Sequence, residues 1–219
     1  MTSFSEPEWT RSEARRQAIL EVARQIFFDR GYAAASMSEI AARLGGSKGT
    51  LYNYFRSKEE LFAAFMTDTC QGPANDTYDH LPPLDADIRE GLIEFGVAFL
   101  EFVLREETMA LHRLVIAECG RFPELGRLFY ELGPQRGELR LSEYFRQAMS
   151  AGRIRQDDPL MVARRFKDLV ASDIYLRRLW GVIDHPSPEA IRAHVTEAVD
   201  IFLQTFGQAS DPGDGVVTG

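Results

Sequence analysis

Cysteine is scarce: Cys70 and Cys119 are the only two in 219 residues, too few for a disulfide framework. No apolar run reaches the ~18 uncharged residues that a membrane span needs. The best candidate, 88–104, is interrupted by Arg89, Glu90, Glu94 and Glu101. The opening MTSFSEPEWT has no basic stretch leading into an apolar one, so no secretory leader is expected, and a cytoplasmic location is the simplest expectation. No segment shows a convincing apolar–polar alternation, which leaves little room for strands, and no internal repeat is evident. G-x-S-x-G, H-E-x-x-H and the dinucleotide fingerprint are all missing, as is any Cys-His pattern with recognisable spacing. An enzyme is therefore not expected, nor a cofactor, nor a bound metal.

What remains is an ordinary globular composition, 45% hydrophobic and 26% charged, with a formal net charge of −8. That acidity argues against a nonspecific polyanion binder. It is unevenly spread: the first 66 residues hold nine basic and eight acidic side chains, and the remainder holds 16 basic and 25 acidic. The first third is thus relieved of the charge that would repel a polyanion.

Helical periodicity runs through nearly the whole chain. Ile19, Val22, Ala23, Ile26 and Phe27 share one face of an amphipathic helix that Gly31 should end. Ser36 with Glu39 reads as a capping box opening a short second helix, which Gly45-Gly46 stops. Ser47 caps a third helix, and Ser57 with Glu60 opens a fourth. Breaks are expected at Gly72-Pro73 and Pro82-Pro83. Longer helices follow near 88–104, 108–119, 133–151, 159–180 and 188–206; the first is apolar on two faces, which suits a central position. The tail 208–219, rich in Gly, Asp, Ser and Thr, is expected to be disordered. The fold class expected is all-α: a three-helix helix-turn-helix domain, then a larger ligand-binding and dimerisation bundle.

The stretch ARLGGSKGTLYNYF, 42–55, raises the question of a phosphate loop. The order is Lys-Gly-Thr rather than Gly-Lys-Thr and a helix precedes it, so the nucleotide-loop reading fails. Two short helices about a glycine turn form instead the arrangement whose second helix enters the DNA major groove. At about 100° per residue, Leu51 and Phe55 must face the core, against Ile40, Leu44 and Ile26. The opposite face presents Gly49 and Asn53, flanked by Lys48, Thr50, Tyr52 and Tyr54. Lys48 can reach a guanine edge or a phosphate, Thr50 a phosphate or a thymine methyl, and the tyrosines backbone phosphates. Free amides behind the Ser47 cap suit a phosphate, and Ser36, Met37, Ser38 and Lys58 complete the expected DNA-binding set. A solvated turn between core helices is the plainer alternative.

Residues 13–73 resemble the DNA-binding domain of the TetR family of transcriptional regulators. The pieces that carry the resemblance are AILEVARQIF at 18–27, RGY at 30–32, MSEIA at 37–41, SKGTLYNYF at 47–55 and SKEELF at 57–62. The resemblance implies a homodimer on a palindromic operator, usually repressing, with a helical C-terminal domain that receives a small effector. Two residues depart from the pattern. Gly46 stands where the family usually has a valine plugging the turn, and Asn53 where tyrosine, histidine or tryptophan is common. RLVIAE at 113–118 and RFPEL at 121–125 are similar to multidrug-efflux repressors. The division expected is an arm at 1–12, the reading domain at 13–73, the effector and dimerisation domain at 74–207, and the tail.

In the later part, Phe166, Val170, Ile174, Ile191, Val195, Ala198, Phe202 and Phe206 form stripes that either finish a monomer core or build a dimer interface. The need for a second half-site about 34 Å away favours the dimer. Phe62, Phe65, Met66, Phe95, Phe99, Phe102 and Met109, with His112 as polar group, are the candidate lining of a pocket for an apolar or aromatic effector. Such a stripe is more often plain packed core.

Overall fold

The structure, a computed structural model, describes residues 10–208, except for the side chains of 70–75. The Gln208–Gly219 tail expectation therefore falls almost wholly outside the described residues. Among those residues no strand forms, and a lone bridge joins Ile154 to Gly207. The architecture is all-α, and no described helix is long and apolar enough to cross a membrane.

The chain divides into two units, one made of residues up to Thr69 with Ala110–Phe129, the other of Cys70–Met109 with residues from Tyr130 onward. The grouping differs from a single division at 73–74, because 110–129 joins the reading domain. Within that first unit the Glu118 carboxylate accepts the Ala33 amide at 3.0 Å, and Phe122 meets Tyr32 edge-on at 5.2 Å.

In the first unit, α1 (Arg11–Ala34) opens on a reciprocal capping box: Thr10 accepts from the Glu13 amide while the Glu13 carboxylate accepts from the Thr10 amide. Helix thus begins inside the segment expected as an arm. Gly31 interrupts α1 at φ 78°, ψ 168°, a conformation open essentially only to glycine. α2 (Met37–Arg43) and α3 (Lys48–Tyr54) follow, capped by Ser36 and Ser47. The Ser36–Glu39 box is half made: Ser36 takes the Glu39 amide, but the Glu39 carboxylate pairs with Arg30 at 3.2 Å and Arg43 at 3.7 Å. α4 (Lys58–Tyr78) continues through Gly72 and Pro73, past the break expected there. Its last turn is held by the buried ring of Tyr78, 5.5 Å from Phe95. Phe27, Tyr32, Phe62 and Phe65 form an aromatic centre to the first unit.

The second unit is built from α5 (Ile88–Leu104), α8 (Pro134–Ser150), α9 (Pro159–Leu179) and α10 (Pro188–Phe206). α5, apolar on two faces, lies inside, with Leu92, Phe95, Leu100 and Leu104 without exposure. α9 and α10 each start with a capping Asp158 or Ser187 followed by proline at the first helical position, where the missing N–H costs nothing. α6 (Glu106–Cys119) and α7 (Pro123–Leu132) complete the chain. α7 is absent from the sequence expectation, since ten residues give periodicity few repeats to show.

The stripes expected to build a dimer are buried within one protomer. Phe166, Val170, Ile191, Val195, Ala198, Phe202 and Phe206 belong to the second unit's core, and Ile174 packs against it half-buried. Phe202 lies among Phe145, Phe166 and Phe206 at 5.0–5.3 Å between ring centres. Facing partners within the same chain account for these stripes, Ile174 only in part, so their apolar pattern needs no second copy to explain it.

Candidate nucleic-acid interface

The turn between α2 and α3 is a product of one backbone angle. Gly45 adopts φ 63°, which an L side chain rarely tolerates, and the chain reverses there with the Gly46 amide bonded back to the Ala41 carbonyl at 3.2 Å. Ser47 then accepts the Thr50 amide at 3.2 Å, and its oxygen lies 3.1 Å from the Thr50 hydroxyl. Leu51 and Phe55 turn inward, nearly without exposure, onto a core that includes Ile26 and Ile40; Leu44 is half-buried. The arginine at 16 covers the outer face of the Phe55 ring at 5.3 Å.

What α3 turns outward follows from that anchoring. Lys48, Gly49 and Asn53 are exposed, Tyr52 keeps 47% of its surface, and Thr50 and Tyr54 are half-buried. A Cβ on Gly49 would meet only the Ser47 hydroxyl, at 3.7 Å, so no packing within the chain demands glycine there. Ser36 and Ser38 are exposed at the start of α2. The face offers an ammonium, hydroxyls and an amide beside a bare Cα, groups suited to base edges and phosphates.

Two residues of the expected set are placed otherwise. Met37 is 8% exposed, its side chain turned into the core of the first unit. Lys58 is spoken for: its Nζ donates to the Tyr32 carbonyl at 2.9 Å and the Ala35 carbonyl at 3.1 Å, above the Tyr32 ring at 4.3 Å. It ties the end of α1 to α4 rather than reaching outward. Tyr32 is braced from the other side, its hydroxyl donating to Glu59 at 3.1 Å, and burial pushes its phenol well above the usual range.

Comparison with known proteins agrees with this geometry at both ends of the chain. A family model described as bacterial regulatory proteins, tetR family, matches residues 19–65. A second, described as AefR-like transcriptional repressor, C-terminal domain, matches residues 90–208, more than half of the chain. The chain belongs to the TetR family. It is a DNA-binding transcriptional regulator and not an enzyme.

Among solved structures, this TetR-family chain is similar to the flavonoid-responsive regulator FrrA, with 34% identity, a TM-score of 0.80 and coverage of 90% of this chain and 99% of that one. A structure described as a TetR-family transcriptional regulator from Mesorhizobium loti gives 28% identity and a TM-score of 0.80 over 91% of this chain and all of that one. The transcriptional repressor Rv1474c of Mycobacterium tuberculosis is 26% identical over 77% of this chain and 84% of its own length. The transcriptional activator FasR of Mycolicibacterium smegmatis is 50% identical over 54 residues, but that match spans only 25% of each chain.

The residues expected to line an effector pocket in this TetR-family protein divide between the two units. Phe62, Phe65 and Met66 are buried in the first, where Phe62 meets Phe27 edge-on at 4.9 Å. His112 belongs there too, edge-on to Phe129 at 5.1 Å, and burial pushes its imidazole down to about 4. Phe95, Phe99, Phe102 and Met109 lie in the second unit, where Phe95 stands 6.2 Å from Phe99 and 5.9 Å from Phe166. Each group packs on its own unit's core.

The start of α1 adds two basic side chains beside this face that are absent from the expected set. Arg11 and Arg15, one turn apart, line an open groove with Ala14, Ala18, Thr50 and Tyr54. The signal was available in the i, i+4 spacing of two arginines ahead of the apolar stripe.

Proposed function

We propose that this regulator binds a palindromic operator as a homodimer through the outward face of α3 and the start of α2, and represses until a small aromatic effector enters its C-terminal part. The observation that carries the DNA reading is the set Lys48, Thr50, Tyr52 and Asn53, held outward by the burial of Leu51 and Phe55. Each lost base contact costs about 1–3 kcal/mol of discrimination. A duplex selected from a random pool by the wild-type protein supplies the probe. Lys48→Ala, Thr50→Ala and Tyr52→Phe together should weaken binding at least tenfold at fixed salt while the circular dichroism stays unchanged. Undiminished affinity in that triple variant would refute the assignment.

The dimer contact is carried by what α9 and α10 leave outside. Trp180 is 71% exposed just after α9, with Leu176 one turn earlier, Val182 beyond it and Ile201 on α10. Apolar side chains left outside the last two helices fit an isologous contact with a second copy. For the effector, the likeness to the flavonoid-responsive FrrA over 90% of this chain makes a flavonoid the first probe. Such a ligand should lower operator affinity by roughly 5–150-fold. A flavonoid that changes neither operator affinity nor melting temperature eliminates that ligand class.

A further inference from the structure

Gly46, the departure in the turn, has a neighbour that accounts for it. A Cβ built on Gly46 would stand 3.0 Å from Nη2 of Arg15, closer than nearly all real contacts of that kind. The guanidinium therefore lies across the turn, in space that a valine would claim. Arg15 is half-buried on α1, and among the described residues no carboxylate lies within ion-pairing distance of it. Glu13, the nearest acid in sequence, is turned back to Thr10 at 2.6 Å and 2.8 Å. Two small residues, Ala14 and Ala18, flank Arg15 on the groove wall and leave Thr50 and Tyr54 of α3 open on the other side.

Among the described residues no anion balances this half-buried charge, which is held at the edge of the face assigned to DNA. We propose that Arg15 is a phosphate-binding residue of the operator contact, admitted to its position by the absence of a side chain at Gly46. Its planar fork matches a phosphate in a way that lysine's point charge does not. The contact comes from α1, from outside the two helices of the motif, and fixes register without reading sequence. This inference rests on the DNA-binding face proposed above.

The test uses the full chain and the duplex selected by the wild-type protein, with affinity followed by fluorescence anisotropy from low to moderate salt. Each phosphate neutralised contributes about 0.9 to the slope of log affinity against log salt. Arg15→Ala should lower affinity about tenfold, equally on the selected duplex and on an unrelated one, and reduce the slope by about 1 for each protomer bound. Gly46→Val should displace the guanidinium and lower affinity to a similar degree. In the Arg15→Ala background the same Gly46→Val change should then cost little more.

Unchanged affinity and slope in Arg15→Ala would overturn the proposal. So would a loss of affinity with the slope intact, because that outcome describes an arginine that only braces the turn. Equal losses from Gly46→Val with and without Arg15 would sever the link between the two residues. The triple variant at Lys48, Thr50 and Tyr52 separates the two ideas. If it loses binding while Arg15→Ala does not, the reading face stands and this proposal falls; if neither loses binding, the face itself is wrong.

Discussion

Replacing Phe202 by alanine removes a side chain with no solvent exposure, whose ring lies 5.3 Å from Phe145, 5.1 Å from Phe166 and 5.0 Å from Phe206. Truncating such a phenylalanine costs about 3–5 kcal/mol, from lost transfer energy plus the cavity left behind. Set against the ~5–15 kcal/mol that holds a domain folded, that is about a fifth or more of the whole. For a chain of this size the melting temperature should fall by roughly 10 °C. The neighbouring Ile201 is the control, because it is 44% exposed, about 100° round α10 from Phe202. Ile201→Asp leaves the core untouched, so circular dichroism should show native helicity and a melt close to wild type. If Ile201 belongs to the dimer contact, the charge should instead convert the protein to monomer in sedimentation velocity at micromolar concentration. The reasoning fails if the roles reverse: Phe202→Ala melting like wild type while sedimenting as a monomer would put Phe202 in the interface.

Ser172, the only described non-glycine residue with positive φ, sits at 31° where α9 breaks, and His194 donates to the adjacent Val170 carbonyl at 3.0 Å. Ser172→Gly should raise stability by about 1 kcal/mol in a denaturant titration, and a lowered midpoint would show that no strain is held there. Lys58→Met removes both carbonyl contacts at the end of α1, so operator affinity should drop through misplacement of α2 while the salt slope stays at its wild-type value. A slope reduced by about 1 per protomer would instead return Lys58 to the phosphate contacts. His112 titrates near 6.5 when unfolded but about 4 when folded, so the unfolded chain takes up its proton first as pH falls. Its contribution is intact above 6.5 and is lost progressively toward pH 4, about 3 kcal/mol in all; His112→Gln should flatten that part of the stability–pH curve, and an unchanged curve counts against burial as the cause.

Capping and facing were legible in the chain because they are local. Ser47 accepts from an amide three residues away, and Leu51 and Phe55 share a face by helical geometry alone. The same locality made Lys48, Thr50, Tyr52 and Asn53 readable as an outward face once the inward pair was known. Lys58 misled because its partners, Tyr32 and Ala35, stand more than twenty positions earlier. Met37 has the periodicity of a core residue, yet its place at the start of α2 drew it into the contact set. Its burial decides between the two.

The sequence by itself determined that the chain is helical, where most helices begin, that an acidic later part follows a neutral first part, and which side of α3 faces outward. Each of these depends on neighbours within a few residues. The tertiary structure alone decided what the apolar stripes of α9 and α10 pack against, that 110–129 travels with the reading unit, and that Arg15 occupies the space beside Gly46. A stripe's periodicity records only that it is buried, since burial is non-directional and takes any apolar partner. Which surface supplies that partner is settled by the packing of segments far apart in the chain.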